Sequence, residues 1–244
     1  MKNKIIIIAI LVLFSIGFAI QMPLNSSSSE IEESFQGALQ AYDAGDYDSA
    51  KEIWTRLADK GSPGSQNNLG LMYENGVGVE QDYEKALKLY QLSAKQGYTE
   101  AQYNLGSLYH NGTGVKQDYE KAAKYYQLAA DKNYNLALNN LGVFYNSAIG
   151  VEKDTKKAAK LFRKAAIRGH ALSQNNLGLA FATGQGMKED VISAYVWFDI
   201  SLNNGEETAK SNHEYATSQM NEEQIIKAKK LAQICLNSNY ENCP

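Results

Sequence analysis

The sequence has few of the residues that build metal sites and cysteine frameworks, and it has little proline. Among 244 residues there are two Cys, three His and three Pro. No Cys-x-x-Cys and no His-x-x-x-His occurs, so the ligand spacings of common zinc sites are missing. Because Pro interrupts helix interiors, its scarcity favours a chain that is helical almost throughout.

Neither positive nor negative charge is in large excess. The formal net charge is −3, and the basic residues are scattered along the chain. A protein that tracks a nucleic-acid backbone needs a clustered basic surface. We therefore expect no nucleic-acid partner, and the residue types present lead us to expect no metal ion and no cofactor.

One long apolar run stands at the start. Two Lys residues precede the run from Ile5 to Ile20, where Gly17 and Ala19 match the small residues of a cleavage site. As a helix the run would span about 24 Å, short of the ~30 Å hydrocarbon core of a membrane. We predict a cleaved signal peptide at residues 1–19, with an uncleaved membrane anchor as the alternative. The Ser-rich stretch that follows predicts a flexible linker over residues 20–30.

The rest of the chain is organised by one four-residue block that recurs every 36 residues. The copies are Asn67-Asn68-Leu69-Gly70, Tyr103-Asn104-Leu105-Gly106, Asn139-Asn140-Leu141-Gly142 and Asn175-Asn176-Leu177-Gly178. A fixed period of this length is the signature of a solenoid, in which each unit packs only against its neighbours. We predict a solenoid over residues 31–236 and a C-terminal tail over residues 237–244.

Each repeat has the pattern of two helices. Ala101, Leu105 and Leu108 lie on one face of a first helix, Gly114 falls in the loop after it, and Asp118 is a suitable N-cap for a second helix. Equivalent residues recur in every copy: Gly78, Gly114, Gly150 and Gly186, then Asp82, Asp118, Asp154 and Asp190. The pattern predicts an all-α fold of about five helix pairs.

The Gly of each Leu-Gly pair lies inside a predicted helix. A glycine there costs roughly 1 kcal/mol relative to alanine. We expect Gly70, Gly106, Gly142 and Gly178 to mark places where the second helix packs too closely for a Cβ.

These motifs resemble Sel1-like repeats, a branch of the tetratricopeptide-repeat superfamily. The resemblance rests on the Asn-Leu-Gly blocks, the Gly-x-Gly-Val loops, the Asp-x-x-x-Ala pattern and Ala194-Tyr195-Val196-Trp197-Phe198. It implies a right-handed superhelix whose first helices line a concave face. Members of the family act as adaptors, and some exported, cysteine-rich members are described as penicillin-binding proteins or β-lactamases.

Two functions follow as hypotheses. The leading one is a non-enzymatic scaffold, periplasmic or secreted, that binds an extended peptide or a partner protein on its concave face; an uncleaved N-terminus would instead anchor it in the inner membrane, facing the periplasm. The second is a cell-wall or β-lactam-binding protein with weak hydrolase activity. A serine β-lactamase usually carries Ser-x-x-Lys and Lys-Thr-Gly, and the sequence contains neither. We therefore predict no catalytic residues.

The candidate peptide-binding residues are the asparagines that precede each repeated Leu: Asn68, Asn104, Asn140 and Asn176. Each lies about 100° around its helix from a core position. A side-chain amide can pair with a peptide backbone as donor and as acceptor. The alternative is that each Asn bonds the loop of its own repeat.

The two cysteines, Cys235 and Cys243, both lie in the last ten residues. In an exported protein such a pair usually oxidises. We predict a disulfide that folds the tail back over the end of the solenoid, as the spacing in exported relatives also implies. The alternative is a buried Cys235 with Cys243 free in the tail.

Overall fold

The computed structural model describes residues 26–244, with side chains from residue 34 onward. The predicted signal peptide or anchor, residues 1–19, lies outside the described residues. The predicted linker does so up to residue 25, but Ser26–Glu30 are helical, which corrects the boundary at residue 30. Serine is only a moderately poor helix former, and adding residues to a helix already nucleated is far easier than starting one.

Residues 26–244 form twelve helices and no strand. They are α1 (Ser26–Asp43), α2 (Tyr47–Asp59), α3 (Pro63–Asn75), α4 (Tyr83–Lys95), α5 (Thr99–Asn111), α6 (Tyr119–Asp131), α7 (Asn135–Ser147), α8 (Thr155–Ala166), α9 (Ala171–Thr183), α10 (Val191–Asn203), α11 (Ala209–Ser218) and α12 (Glu222–Asn237). The all-α solenoid prediction is confirmed. The described residues contain six helix pairs where about five were predicted, because a terminal pair flanks the four repeats on each side.

The second helices begin as predicted. Asp82, Asp118 and Asp154 each accept a hydrogen bond from the backbone N–H three residues on, at 2.8–2.9 Å. Asp190 accepts from the backbone of Ile192 and Ser193. These bonds satisfy N–H groups that a helix start would leave unpaired. The bonds from Lys85 also lower the pKa of Asp82.

The prediction of close helix approach is also confirmed. A Cβ added to Gly70 or Gly106 would lie 2.8 or 2.5 Å from the ring of Tyr90 or Tyr126. Gly142 and Gly178 meet Phe162 and Phe198 in the same way, at 2.5 and 2.6 Å. Each aromatic ring of a second helix therefore rests directly on the first helix of its own pair.

The C-terminal pair departs from the repeat pattern. Helix α12 packs against α10, where Ala232 and Cys235 share a buried cluster with Val196 and Ile200. Helix α10 is consequently covered on nearly all sides, and Ser193 to Phe198 are all buried. A helix that is apolar all round needs such cover.

The predicted disulfide joins Cys235 to Cys243, with their Cα atoms 4.7 Å apart. It closes the tail against α8 and α10, because the Pro244 carbonyl accepts from Arg163 Nη2 at 2.9 Å and Trp197 Nε1 at 3.0 Å. The tail thus lies on the second helices of the last two repeats. Within residues 26–244, no helix has the length and apolar character needed to cross a membrane.

Candidate functional site

The first helices of neighbouring repeats are joined by hydrogen bonds between asparagine side chains. Asn104 Nδ2 on α5 donates to Asn67 Oδ1 on α3 at 2.9 Å. Asn176 on α9 donates in the same way to Asn139 on α7, at 2.9 Å. In each pair the two residues lie 37 positions apart, one repeat plus one residue. The amides therefore form a row that crosses the repeats.

The four predicted residues occupy this row in different ways. Asn104 and Asn176 are half-buried donors to the preceding repeat. Asn68 is only 6% exposed and accepts from Asn67 Nδ2 at 3.2 Å. Asn140 is half-buried and accepts from Asn139 Nδ2 at 3.4 Å. The observed partners are side chains on helices of the same or the preceding repeat, amides in most cases, rather than groups in each repeat's own loop.

One junction in the row differs in sequence. The acceptor position before Asn140 holds Tyr103 in place of asparagine. The Asn140 amide hydrogen-bonds the phenols of Tyr103 and Tyr126, which opposes the rise that burial causes in both pKa values. Burial prevails and raises the pKa of Tyr126 to about 12. Tyr103 also packs on Tyr134 at the start of α7, with ring centroids 5.3 Å apart.

Sequence reasoning missed half of this row. The acceptors Asn67, Asn139 and Asn175 were quoted within the repeated blocks but given no role. Asn212 on α11 was also missed, although its Nδ2 donates to Asn175 Oδ1 at 2.9 Å. In each of these bonds the donor asparagine lies 37 residues after the acceptor asparagine. That recurring separation is the sequence signal that identifies the missed residues.

Three rows of side chains lie along the same face of α3, α5, α7, α9 and α11, and we call them the rung surface. The central row is asparagine throughout: Asn68, Asn104, Asn140, Asn176 and Asn212. The row four residues earlier is Gly64, Glu100, Leu136, Leu172 and Thr208, and the row three residues later is Leu71, Ser107, Val143, Leu179 and Tyr215. Residues at these separations lie together on one helix face. The apolar members on α7, α9 and α11 are exposed by 36–62%.

Other polar contacts join the two helices within a single repeat. The Lys85 and Lys121 ammonium groups lie over the rings of Tyr73 and Tyr109, at 5.1 and 5.2 Å. Tyr90 OH donates to Glu74 Oε2 at 2.5 Å, and burial raises the pKa of that carboxyl although this bond opposes the rise. These lysine, tyrosine and glutamate side chains therefore have partners within the scaffold.

The chemistry of the rung surface is that of amides and aliphatic groups. It offers hydrogen bonds and apolar contact, and its fifteen positions include one carboxyl group, Glu100, and one phenol, Tyr215. Elsewhere, His213 Nε2 lies 3.5 Å from Asp199 Oδ1. Among the described residues, no three His, Cys, Asp or Glu side chains are grouped closely enough to hold a metal ion.

Comparison with known proteins identifies the repeats. The Sel1 repeat family matches residues 63–98, 99–134, 135–170 and 171–206. The chain belongs to the Sel1 repeat family. Sel1 repeats generally serve as protein-interaction scaffolds and are typically non-catalytic. Comparison with curated proteins finds no match.

Several solved structures resemble this Sel1 repeat protein. A Sel1 repeat protein from Oxalobacter formigenes is 31% identical, with a TM-score of 0.66 over 72% of each chain. The protective antigen c5321 of uropathogenic Escherichia coli is 25% identical, with a TM-score of 0.57; the match covers 88% of this chain but only 56% of c5321. A Sel1 repeat protein from Klebsiella pneumoniae, 19% identical over 80% of this chain and 97% of its own, shares the fold with a TM-score of 0.51.

Proposed function

We propose that this Sel1 repeat protein is an exported, non-enzymatic scaffold that binds an extended peptide, or an extended segment of a partner protein, on its concave face. The observation that carries the proposal is the rung surface, where each first helix presents one amide and the residues on either side of that amide are exposed on α7, α9 and α11. Asn104, Asn140 and Asn176 are the main contact residues, and Asn68 lies at the more buried end.

The hydrogen bonds within the row leave capacity for a ligand. An asparagine amide has two N–H donors and an oxygen with two lone pairs. The bond from Asn104 to Asn67 uses one donor of Asn104, and the bond from Asn176 to Asn139 does the same. The bonds also fix the orientation of the amides before binding, which reduces the entropy that a ligand must overcome.

Site-specific photocrosslinking tests the proposal. A photoreactive amino acid is placed at Ser107 or Val143 on the rung surface, and at Leu92 or Lys160 on second helices as matched exposed controls. We expect a discrete crosslinked product in irradiated cells from the first two positions, and a weaker product when Asn104 and Asn140 are alanine. Equal products from both sets of positions, or none from the rung surface, would contradict the proposal.

Export is part of the proposal and has its own test. The Cys235–Cys243 disulfide supports an oxidising compartment, because such bonds are rare in the cytosol. We expect the mature protein to begin near Ile20 and to be found in the periplasm or medium. N-terminal sequencing of the native protein that finds Met1 in a membrane fraction would support the anchor instead.

A further inference from the structure

Helix α8 differs in charge from the equivalent helices of the two preceding repeats. Three of its positions hold Lys156, Lys160 and Arg163. The same positions on α6 and α4 hold a glutamate, a lysine and a glutamine, which are Glu120, Lys124 and Gln127, then Glu84, Lys88 and Gln91. The acid and the base cancel on α4 and on α6, whereas three cations stand together on α8.

This change acts against the helix. Residues four apart on a helix are neighbours, and glutamate followed by lysine at that separation is stabilising, whereas two like charges are destabilising. Glu120 and Lys124 have the favourable order. Lys156 and Lys160 are two like charges at the same separation. A repeat that keeps the scaffold residues elsewhere and departs from them here indicates a requirement other than folding.

The three cations line one groove between α8 and the loop that precedes α10. The groove has a volume of about 190 Å³, and its other lining residues are Ala159, Gly186 and Met187. Lys156 and Lys160 are exposed, and Arg163 is half-buried. Within residues 34–244, no Asp or Glu side chain forms an ion pair with any of the three. The groove therefore collects positive charge that no neighbouring carboxylate side chain neutralises.

The guanidinium of Arg163 is held in place by groups outside the groove. Its Nη2 donates to Pro244 O at 2.9 Å, and its Cζ lies 5.9 Å from the centre of the Phe181 ring. The Cys235–Cys243 disulfide closes the tail that carries Pro244. Because these contacts already restrict the side chain, less entropy is lost when it binds a ligand. A guanidinium has five N–H donors, so the bond to Pro244 leaves four.

A phosphate group matches this set of side chains. It carries up to two negative charges at neutral pH and presents several strong acceptor oxygens, whereas a carboxylate carries one charge. The fork of an arginine pairs with two phosphate oxygens, and a lysine adds a point charge. Ala159 and Met187 offer apolar contact to the group that carries the phosphate.

We infer that the groove between α8 and the loop before α10 is a phosphate-binding site formed by Lys156, Lys160 and Arg163. The phosphate comes from a soluble phosphate compound or from the headgroup of an anionic phospholipid. The site lies on a second helix, apart from the rung surface, and the inference does not depend on the proposed function.

Nuclear magnetic resonance titration of the full chain with inorganic phosphate tests the inference. We expect saturable shifts of the backbone amide signals of Lys156, Lys160 and Gly186, because these residues border the groove. Sodium acetate at the same ionic strength is the comparison anion. It should bind at least about tenfold more weakly, since it carries one charge and two oxygens.

Variants that exchange the charge of one repeat for that of another locate the binding. Lys156→Glu with Arg163→Gln recreates on α8 the residues of α6 and should weaken phosphate binding by at least about tenfold. Lys156→Glu alone leaves the bond to Pro244 in place and should weaken binding by at least about threefold. Lys124→Gln removes an exposed lysine at the position equivalent to Lys160 and should change binding less than about twofold. Melting curves show whether each variant remains folded.

Vesicles distinguish the two sources of the phosphate. The full chain is floated with vesicles of phosphatidylglycerol and, separately, of phosphatidylcholine, whose headgroup has no net charge. A lipid source predicts more protein on phosphatidylglycerol, and the excess should disappear in Lys156→Glu but not in Lys124→Gln. A soluble source predicts shifts with inorganic phosphate and no such excess.

Three results would overturn the inference. They are binding of neither inorganic phosphate nor phosphatidylglycerol vesicles, equal binding of acetate and phosphate, and binding that Lys156→Glu leaves unchanged. Neither probe is a protein, so these outcomes are independent of the crosslinked products that test the proposed function.

Discussion

Asn176 Nδ2 donates to Asn139 Oδ1 across 2.9 Å, and the same oxygen accepts from Ser173 Oγ at 3.0 Å. Asn139 is 3% exposed, so these bonds replace the water that its carbonyl would otherwise bind. The asparagine row is therefore part of the scaffold as well as the candidate site. Variants of it must be examined for stability before they are interpreted as binding variants.

The first prediction concerns the coupling of Asn67 and Asn104. Each single alanine variant should lower the free energy of unfolding by about 1 kcal/mol, because a buried partner loses its hydrogen bond. The double variant should lose less than the sum, with a coupling of about 0.5–1.5 kcal/mol in urea titrations. Strict additivity would show that the bond contributes nothing to stability.

The second prediction concerns the close-packed glycines. Gly106→Leu and Gly142→Leu should each cost roughly 1–3 kcal/mol, because the side chain would displace Tyr126 or Phe162. Gly37→Ala in α1 is the matched control, since a Cβ there meets nothing within 4 Å. It should stabilise the helix by roughly 0.5–1 kcal/mol. Equal denaturation midpoints for the two leucine variants and for Gly37→Ala would refute the packing argument.

The third prediction concerns Ala148, which ends α7 in a left-handed conformation with φ 58° and ψ 40°. The equivalent position is Gly76, Gly112 or Gly184 in the other repeats. An L-residue in this conformation costs roughly 1–2 kcal/mol. Ala148→Gly should recover about 1 kcal/mol and raise the melting temperature, while Gly112→Ala should lower it.

A fourth prediction concerns the disulfide. Replacing Cys235 and Cys243 with alanine opens a nine-residue ring and should cost up to about 2.5 kcal/mol. Reductant should lower the melting temperature of the native protein and leave that of the double variant unchanged. Free thiols in unreduced, denatured protein, measured by alkylation and intact mass, would show that the bond does not form in the cell.

The fifth prediction concerns acid. Burial lowers the pKa of His110 and of His170, although Glu206 opposes the effect on His170. The unfolded chain then binds protons near pH 6.5 that the folded chain does not, so stability is full above that pH and falls as pH decreases through it. The urea midpoint should drop between pH 7.5 and 5.5, and drop less in His110→Gln with His170→Gln. An unchanged slope in that variant would assign the loss to other groups.

Local requirements made much of the fold predictable. The glycines at helix ends and the Asp caps each satisfy a requirement of one or two turns of chain, the contact of Gly106 with Tyr126 joins the two helices of one repeat, and all of these features recur with the period. The disulfide was predictable because there are only two cysteines. The asparagine bonds were not, because the period shows equivalent positions but not whether an amide reaches its own loop or the next repeat.

The C-terminal arrangement was missed for a related reason. Ala194 to Phe198 was used as a family motif, whereas its unbroken apolar character also indicated a helix covered on every side. The period could not show that α12 provides this cover. The partner of α10 is set by tertiary packing, which a repeat pattern does not encode.

The position of α12 on α10 bears on how such a chain changes by gene duplication. Within residues 63–206, every boundary between repeats brings together equivalent helices. Recombination that copies or deletes one 36-residue unit therefore recreates a boundary of the same kind. Each unit added before residue 135 would contribute one more asparagine rung and leave in place α12, the Cys235–Cys243 disulfide and the contacts of Pro244 with α8 and α10. The number of asparagine rungs can therefore evolve in whole-repeat steps while the C-terminal closure is inherited unchanged.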